Sequence, residues 1–399
     1  MAHWFTKCAV VYLLTVLAAC SSNPGEPNPT SLDDTSPITH VSDPLPTVIP
    51  SPSATALPLI TPDDPPSSMA TPSLSPSPTS IDPPLSTFTP APMEHFTTPL
   101  LRGGAMPQSY LTDECEYLRL RWTPEGSPIG TVVVPVMFHS IVKGGGEVTD
   151  PKDISEEEFQ AFIKYAQTLG FETVTTAELL AFLESNAHIP ARSMLLIVDD
   201  RRPGLLEEHF MPVLTANDWT VTAAYIADPD SFDWAWEWME RLYTSGRLDV
   251  QSHGATGQLY IVPSTPLESI QAELIPAITT LEEHFGQTPL AFIWPGGNFT
   301  LPAVQIARQA GYELGFSAYS RGPLMFNWIP LGEEEHQMDD PLMVLPRAWS
   351  NSVNVNLDQA VQIAAQARAQ ALDSYPAEAA YYRTYCGGEL PPLKGDLLP

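Results

Sequence analysis

Met194-Leu195-Leu196-Ile197-Val198-Asp199-Asp200 is the stretch that fixes how this chain is read. Five apolar residues in a row read as a buried strand. The two carboxylates that close it carry a desolvation cost, which a metal, a cation or a reaction must offset. Downstream, a second short strand-like run, Leu248 to Val250, leads into Gln251-Ser252-His253. One His and two Asp at strand ends point to a metal-dependent hydrolase.

Outward from these runs, strand and helix patterns alternate. Thr131 to Phe138 is an apolar β-branched strand. Ser155 and Glu158 form a capping box that opens a helix with Phe159, Phe162, Ile163, Ala166 and Leu169 on one face. A short helix over Thr176 to Glu184 precedes the Asp199 strand. Leu205 to Leu214 reads as helix, Thr220 to Ile226 as strand and Phe232 to Tyr243 as helix. Thr265-Pro266-Leu267-Glu268 reads as an N-cap, Pro at N1 and Glu at N3 of a long helix. Leu290 to Trp294, Gly315 to Tyr319 and Val344 to Trp349 are further strands. Pro302 to Gln309 is a helix closed by Gly311, and an Ala-rich helix runs from about Leu357 to Leu372. Some seven βα units favour an α/β fold of the parallel (β/α)7 barrel kind, although repetition alone does not exclude a doubly wound sheet. His139, Asp199, Asp200, His253, Trp294 and Arg347 then gather at the C-terminal ends of strands, where such barrels build their sites.

Ahead of the barrel the composition changes. Residues 1–20 carry Lys7, an apolar run from Ala9 to Val16, and Leu17-Ala18-Ala19-Cys20. The run is too short to span a bilayer, and the small residues before Cys20 read as a lipoprotein signal whose cysteine is acylated after cleavage, rather than as an ordinary signal peptide. This implies an extracytoplasmic protein anchored by lipid on Cys20 to the membrane of a bacterial cell surface. Residues 21–100 hold 20 of the 43 prolines and neither Lys nor Arg, so they cannot bury enough apolar surface to order themselves and read as a disordered Pro/Ser/Thr-rich tether. Residues 101–399 are then the one large domain, expected to act as a monomer. The net charge of −29 argues against nucleic acid as a partner. With Cys8 removed and Cys20 lipidated, Cys115 and Cys386 are left in an oxidising compartment and are expected to form a disulfide joining the two ends of the domain.

Several of these runs together resemble the polysaccharide deacetylase (NodB-homology) family. Pro135-Val136-Met137-Phe138-His139-Ser140-Ile141 is similar to that family's opening strand, and Leu196-Ile197-Val198-Asp199-Asp200 to its Asp-Asp motif. Phe292-Ile293-Trp294-Pro295-Gly296-Gly297-Asn298, leading to Ala310-Gly311-Tyr312, is similar to its groove segment, and Leu345-Pro346-Arg347 to a late strand. The resemblance spans about Val132 to Trp349 in the family's order. It implies a distorted parallel (β/α)7 barrel that removes acyl groups, usually N-acetyl, from amino sugars of a glycan polymer. Asp199 would be the general base, while Asp200 and His253 would hold a divalent metal such as Zn, Co or Ni. Trp294, Pro295, Gly296, Gly297 and Arg347 would bind substrate.

The chain departs from that pattern at three places. Gly257 stands where a second His ligand belongs, Arg201 replaces the Gly after the Asp pair, and no Leu-x-x-His lies near the C-terminus. His139 is either the third metal ligand or a His hydrogen-bonded beneath the metal. Arg201 either pairs with Asp199 or Asp200 in place of the metal, leaving a barrel that binds glycan without cutting it, or points to solvent. Trp234 and Trp238, at i,i+4, are expected in the core and Trp236 on the surface. Arg321 to Leu342 reads as a lid, a specificity loop or a decorated surface connection. A Ser252-His253-Asp199 triad is a poor reading, because adjacent residues diverge on a strand.

Overall fold

The computed structural model describes residues 95–393, all within one compact unit. The signal segment, Cys20 and the tether as far as residue 94 lie outside the described residues. Among the described residues no helix is long and apolar enough to cross a membrane.

Seven parallel strands form the frame: β1 (Val132–Phe138), β2 (Arg192–Asp199), β3 (Val221–Tyr225), β4 (Leu248–Ser252), β5 (Ala291–Ile293), β6 (Leu314–Phe316) and β7 (Ala348–Trp349). Their order in the sheet is β6-β5-β4-β3-β2-β1-β7. The ring closes through the last of them. Ala348 and Trp349 pair with Val136 and Met137 of β1, while Leu345, just ahead, bridges Phe316 of β6. The expected distorted (β/α)7 barrel is therefore the fold observed.

Strand periodicity explains where the carboxylates fall. Met194, Leu196 and Val198 pack with Phe159, Phe162 and Phe210 from the covering helices. Leu195 and Ile197 face the other way, into the cluster that holds Phe292, Trp294 and Phe316. Asp199, two residues past Ile197, shares that face and is carried to the end of the strand.

The helix Glu156–Thr168 opens with both halves of the Ser155–Glu158 capping box. The helix Leu267–Phe285 starts differently from expectation. Pro266 is its N-cap, and no side chain caps it, because the Thr265 hydroxyl accepts from Val262 N instead. The C-terminal helix runs from Val353 to Tyr381, well beyond the expected end.

Three further expectations meet the structure. Cys115 and Cys386 are joined, with Cα atoms 5.4 Å apart, tying the helix Glu114–Arg121 to the C-terminal turn. Residues 95–100, assigned to the tether, already belong to the barrel: Trp328 Nε1 donates to the Phe96 carbonyl at 2.9 Å and Thr98 Oγ1 to Gln366 at 2.7 Å. The stretch from Arg321 to Leu342 is neither lid nor loose decoration. Leu324 bridges Val133 at the start of β1, Ile329–Leu331 pairs with Met106–Gln108, and Glu335 is buried against Arg321 at 2.9 Å.

Candidate active site

Asp199 and Asp200 stand at the C-terminal mouth of the barrel, in different surroundings. Asp199 is 2% exposed, and its Oδ1 accepts from Arg347 Nη1 at 2.7 Å. Arg347, just ahead of β7, is itself fixed by donating Nε to the Ser317 carbonyl at 2.7 Å. Burial pushes the Asp199 carboxyl up, but Arg347, His253 and His139 together outweigh it and hold the group below its usual value. Asp199 is therefore a carboxylate. Its second oxygen lies 3.6 Å from His139 Nε2.

At Asp200 the backbone turns left-handed, with φ 71°. That turn throws its side chain out of line with β2, towards His253. Asp200 Oδ1 lies 3.7 Å from His253 Nε2, and Oδ2 accepts from Arg202 Nη2 at 3.0 Å. The His253 Nδ1 lies 2.8 Å from the Ile293 carbonyl. A carbonyl only accepts, so Nδ1 carries a proton, and Nε2 is the nitrogen turned towards Asp200, the one a metal-binding His would use.

Two side-chain donors for a divalent ion are thus in place, Asp200 Oδ1 and His253 Nε2, and they fit a reduced site. Among the described residues no group of three His, Cys, Asp or Glu could hold a metal ion. His139 does not complete the set. Its Nε2 faces Asp199, its ring stacks on Trp349 with centroids 5.8 Å apart, and its Nδ1 is buried with no hydrogen-bond partner. Burial, ahead of the neighbouring charges, holds its pKa below the ordinary imidazole value.

The loss at Gly257 is built into the backbone. Gly257 has φ 64°, and a Cβ placed there would lie 2.5 Å from Ile226. Its N–H donates to Glu273 Oε1 at 2.6 Å, as does that of Thr256 at 3.0 Å, while the Thr256 hydroxyl donates to Oε2 at 2.8 Å. The loop after His253 is wrapped around a buried carboxylate from the next helix, and any side chain at 257 would meet Ile226 from a left-handed backbone.

Other assignments change. Arg201 pairs with neither Asp199 nor Asp200; it donates to Ser231 Oγ at 2.6 Å and lies 3.5 Å from Asp228. The cation on the site is Arg202, which also donates to Ser140 Oγ at 2.9 Å and which sequence reasoning missed. Trp294 does not face substrate. It is fully buried, with Nε1 donating to the Met343 carbonyl at 2.8 Å. Arg347 is likewise buried and orients Asp199. Of the turn Pro295-Gly296-Gly297 only Gly296 is exposed, beneath the ring of Tyr260. Trp236 is the buried member of its trio, stacked on His284 at 3.8 Å, whereas Trp234 is 58% exposed.

The family model for polysaccharide deacetylases matches residues 187–315, which include Asp199, Asp200, His253 and the Pro295 turn. No curated protein matches the chain. Among solved structures it is similar to a Streptococcus pyogenes deacetylase, PplD, in complex with acetate: 17% identity, TM-score 0.46, 57% of this chain and 97% of that one. It is also similar to IcaB from Ammonifex degensii, with 21% identity and TM-score 0.45 over 59% of this chain and 97% of that one. A third is a de-N-acetylase from Aggregatibacter actinomycetemcomitans, with 13% identity and TM-score 0.44 over 55% and 94%. The segment that matches the polysaccharide deacetylase model therefore lies within the (β/α)7 barrel and carries the Asp pair that ends β2.

Proposed function

We propose that this protein removes acyl groups, N-acetyl foremost and O-acyl as the variant, from the sugars of a cell-wall or extracellular glycan. The observation that carries the reading is Asp199, a buried carboxylate kept ionised by Arg347 at the mouth of the barrel. Its second oxygen takes a proton from water, and the resulting hydroxide adds to the amide carbonyl. As the carbon–nitrogen bond breaks, the proton passes to the leaving amine and acetate is released. Asp200 and His253 are the residues that would hold a divalent ion, Zn, Co or Ni, whose contribution when bound is to polarise the carbonyl. Gly296, the exposed glycine of its turn, lets backbone approach a sugar. The lipobox at Cys20 supports anchoring outside the cytoplasm, and the chain is taken to act as a monomer.

The test is acetate release from acetylated chito-oligosaccharides by the purified protein, with and without added Zn, Co or Ni. Release that is lost in Asp199→Asn supports the reading. A second reading, a barrel that binds glycan without cutting it, is favoured by Gly257 and by Arg202 on Asp200. Oligosaccharide binding with no acetate released under any metal condition would select it. Loss of membrane association in Cys20→Ser tests the anchor.

A further inference from the structure

Beside the candidate site, the loop after β3 and the start of the next helix carry a surface that deacylation itself does not use. Phe232 and Trp234 are 72% and 58% exposed, with ring centroids 6.2 Å apart and planes within 17°. Trp238 continues the row one turn on, its ring 6.3 Å from that of Trp234. Large aromatic rings left side by side in water mark an interaction surface more often than isolated apolar residues do.

The row adjoins the mouth of the barrel. Arg201, the residue after Asp200, donates to Ser231, the residue before Phe232. The surrounding charge is negative: Asp230, Asp233 and Glu237 are all exposed. The neighbouring cations are committed, Arg201 to Asp228 at 3.5 Å and Arg241 to Glu207 at 3.1 Å.

We propose that Phe232 and Trp234 form a subsite for already deacylated, amine-bearing units of the glycan. The inference rests on the deacylase reading. The flat C–H face of a sugar suits an exposed ring, and an ammonium group is drawn both to the aromatic face and to the carboxylates around it. An anionic lipid surface would be repelled by those same carboxylates and by a chain of net charge −29. The amine released at the mouth is thus the group that the neighbouring surface selects, and the protein acts on runs of units in a polymer.

Calorimetric titration of the full chain with glucosamine oligomers, and with N-acetylglucosamine oligomers of the same length, tests this. The amine-bearing oligomer should bind about tenfold tighter or better, and Trp234→Ala should cost about tenfold, with Trp234→Phe retaining most of the affinity. The pair Asp230→Asn and Asp233→Asn should remove the preference for amines. Equal affinity for the two oligomers, or an amine affinity unchanged in Trp234→Ala, would overturn the subsite. Binding to phosphatidylglycerol vesicles that Trp234→Ala abolishes would also overturn it, assigning the row to a lipid surface. Acetate release by the unmodified chain is read separately. Release alongside unchanged oligomer binding in Trp234→Ala defeats the subsite alone, whereas no release under any metal condition defeats the deacylase reading.

Discussion

The two carboxylates that end β2 are neighbours in sequence and opposites in setting. Asp199 belongs to the barrel interior, and its partner Arg347 is as buried as it is and fixed by the Ser317 carbonyl, so the ion pair is held within the packed core. Asp200, past a left-handed turn, is a third exposed and shares its charge with an Arg202 of similar exposure. The side of the site that supplies the base is locked into the core, while the side that would supply a metal rests on adjustable surface groups and a reshaped loop.

That contrast can be broken by substitution. Arg347→Ala strips the cation from a buried carboxylate and should cost about 3–5 kcal/mol in denaturant unfolding, most of it recovered when Asp199 is also replaced by Leu. A cost below about 1 kcal/mol would place Asp199 in water after all. Gly257→His must take a left-handed backbone against Ile226, so a loss of about 1–3 kcal/mol is expected, with no gain in Zn affinity by calorimetry unless Ile226 is trimmed too. Glu273→Gln weakens the charge-assisted bonds that hold Thr256 and Gly257, for about 1–2 kcal/mol, and should speed amide exchange in that loop. Arg202→Ala should shift stability by no more than about 0.5 kcal/mol. If Asp200 is the adjustable side, the same substitution should still tighten Zn binding, and an unchanged affinity would deny Arg202 any hold on the site.

Much of this was legible in the chain itself. The βα alternation follows from strand and helix periodicity, and the Asp199-Asp200 end of β2 from an apolar run that had to stop. The choice of a barrel over an open sheet follows from the placing of polar residues at strand ends and from the family resemblance. The missing His at Gly257 is visible in sequence, but its cause is not: Ile226 and Glu273 come from other elements, and only the fold brings them to that loop. Arg201 was the obvious rival for Asp200 by adjacency. The left-handed φ at Asp200 turns the chain so that Arg202 arrives instead, and a sequence does not announce such a turn at an Asp. Trp236 was readable and misread. Pairing the tryptophans with one another put Trp234 and Trp238 inside, whereas the stripe Trp236, Met239 and Leu242 has the helical spacing and is the buried one. Trp294 looked like a groove residue because it precedes the glycine turn, yet its indole N–H has a carbonyl partner inside the barrel.

The disulfide between Cys115 and Cys386 encloses all seven strands in one covalent circle, since the two residues are 271 positions apart. A protease that nicks any loop between them leaves a single molecule, whose pieces should separate only when reductant is added. One cut would therefore not shed half of the barrel.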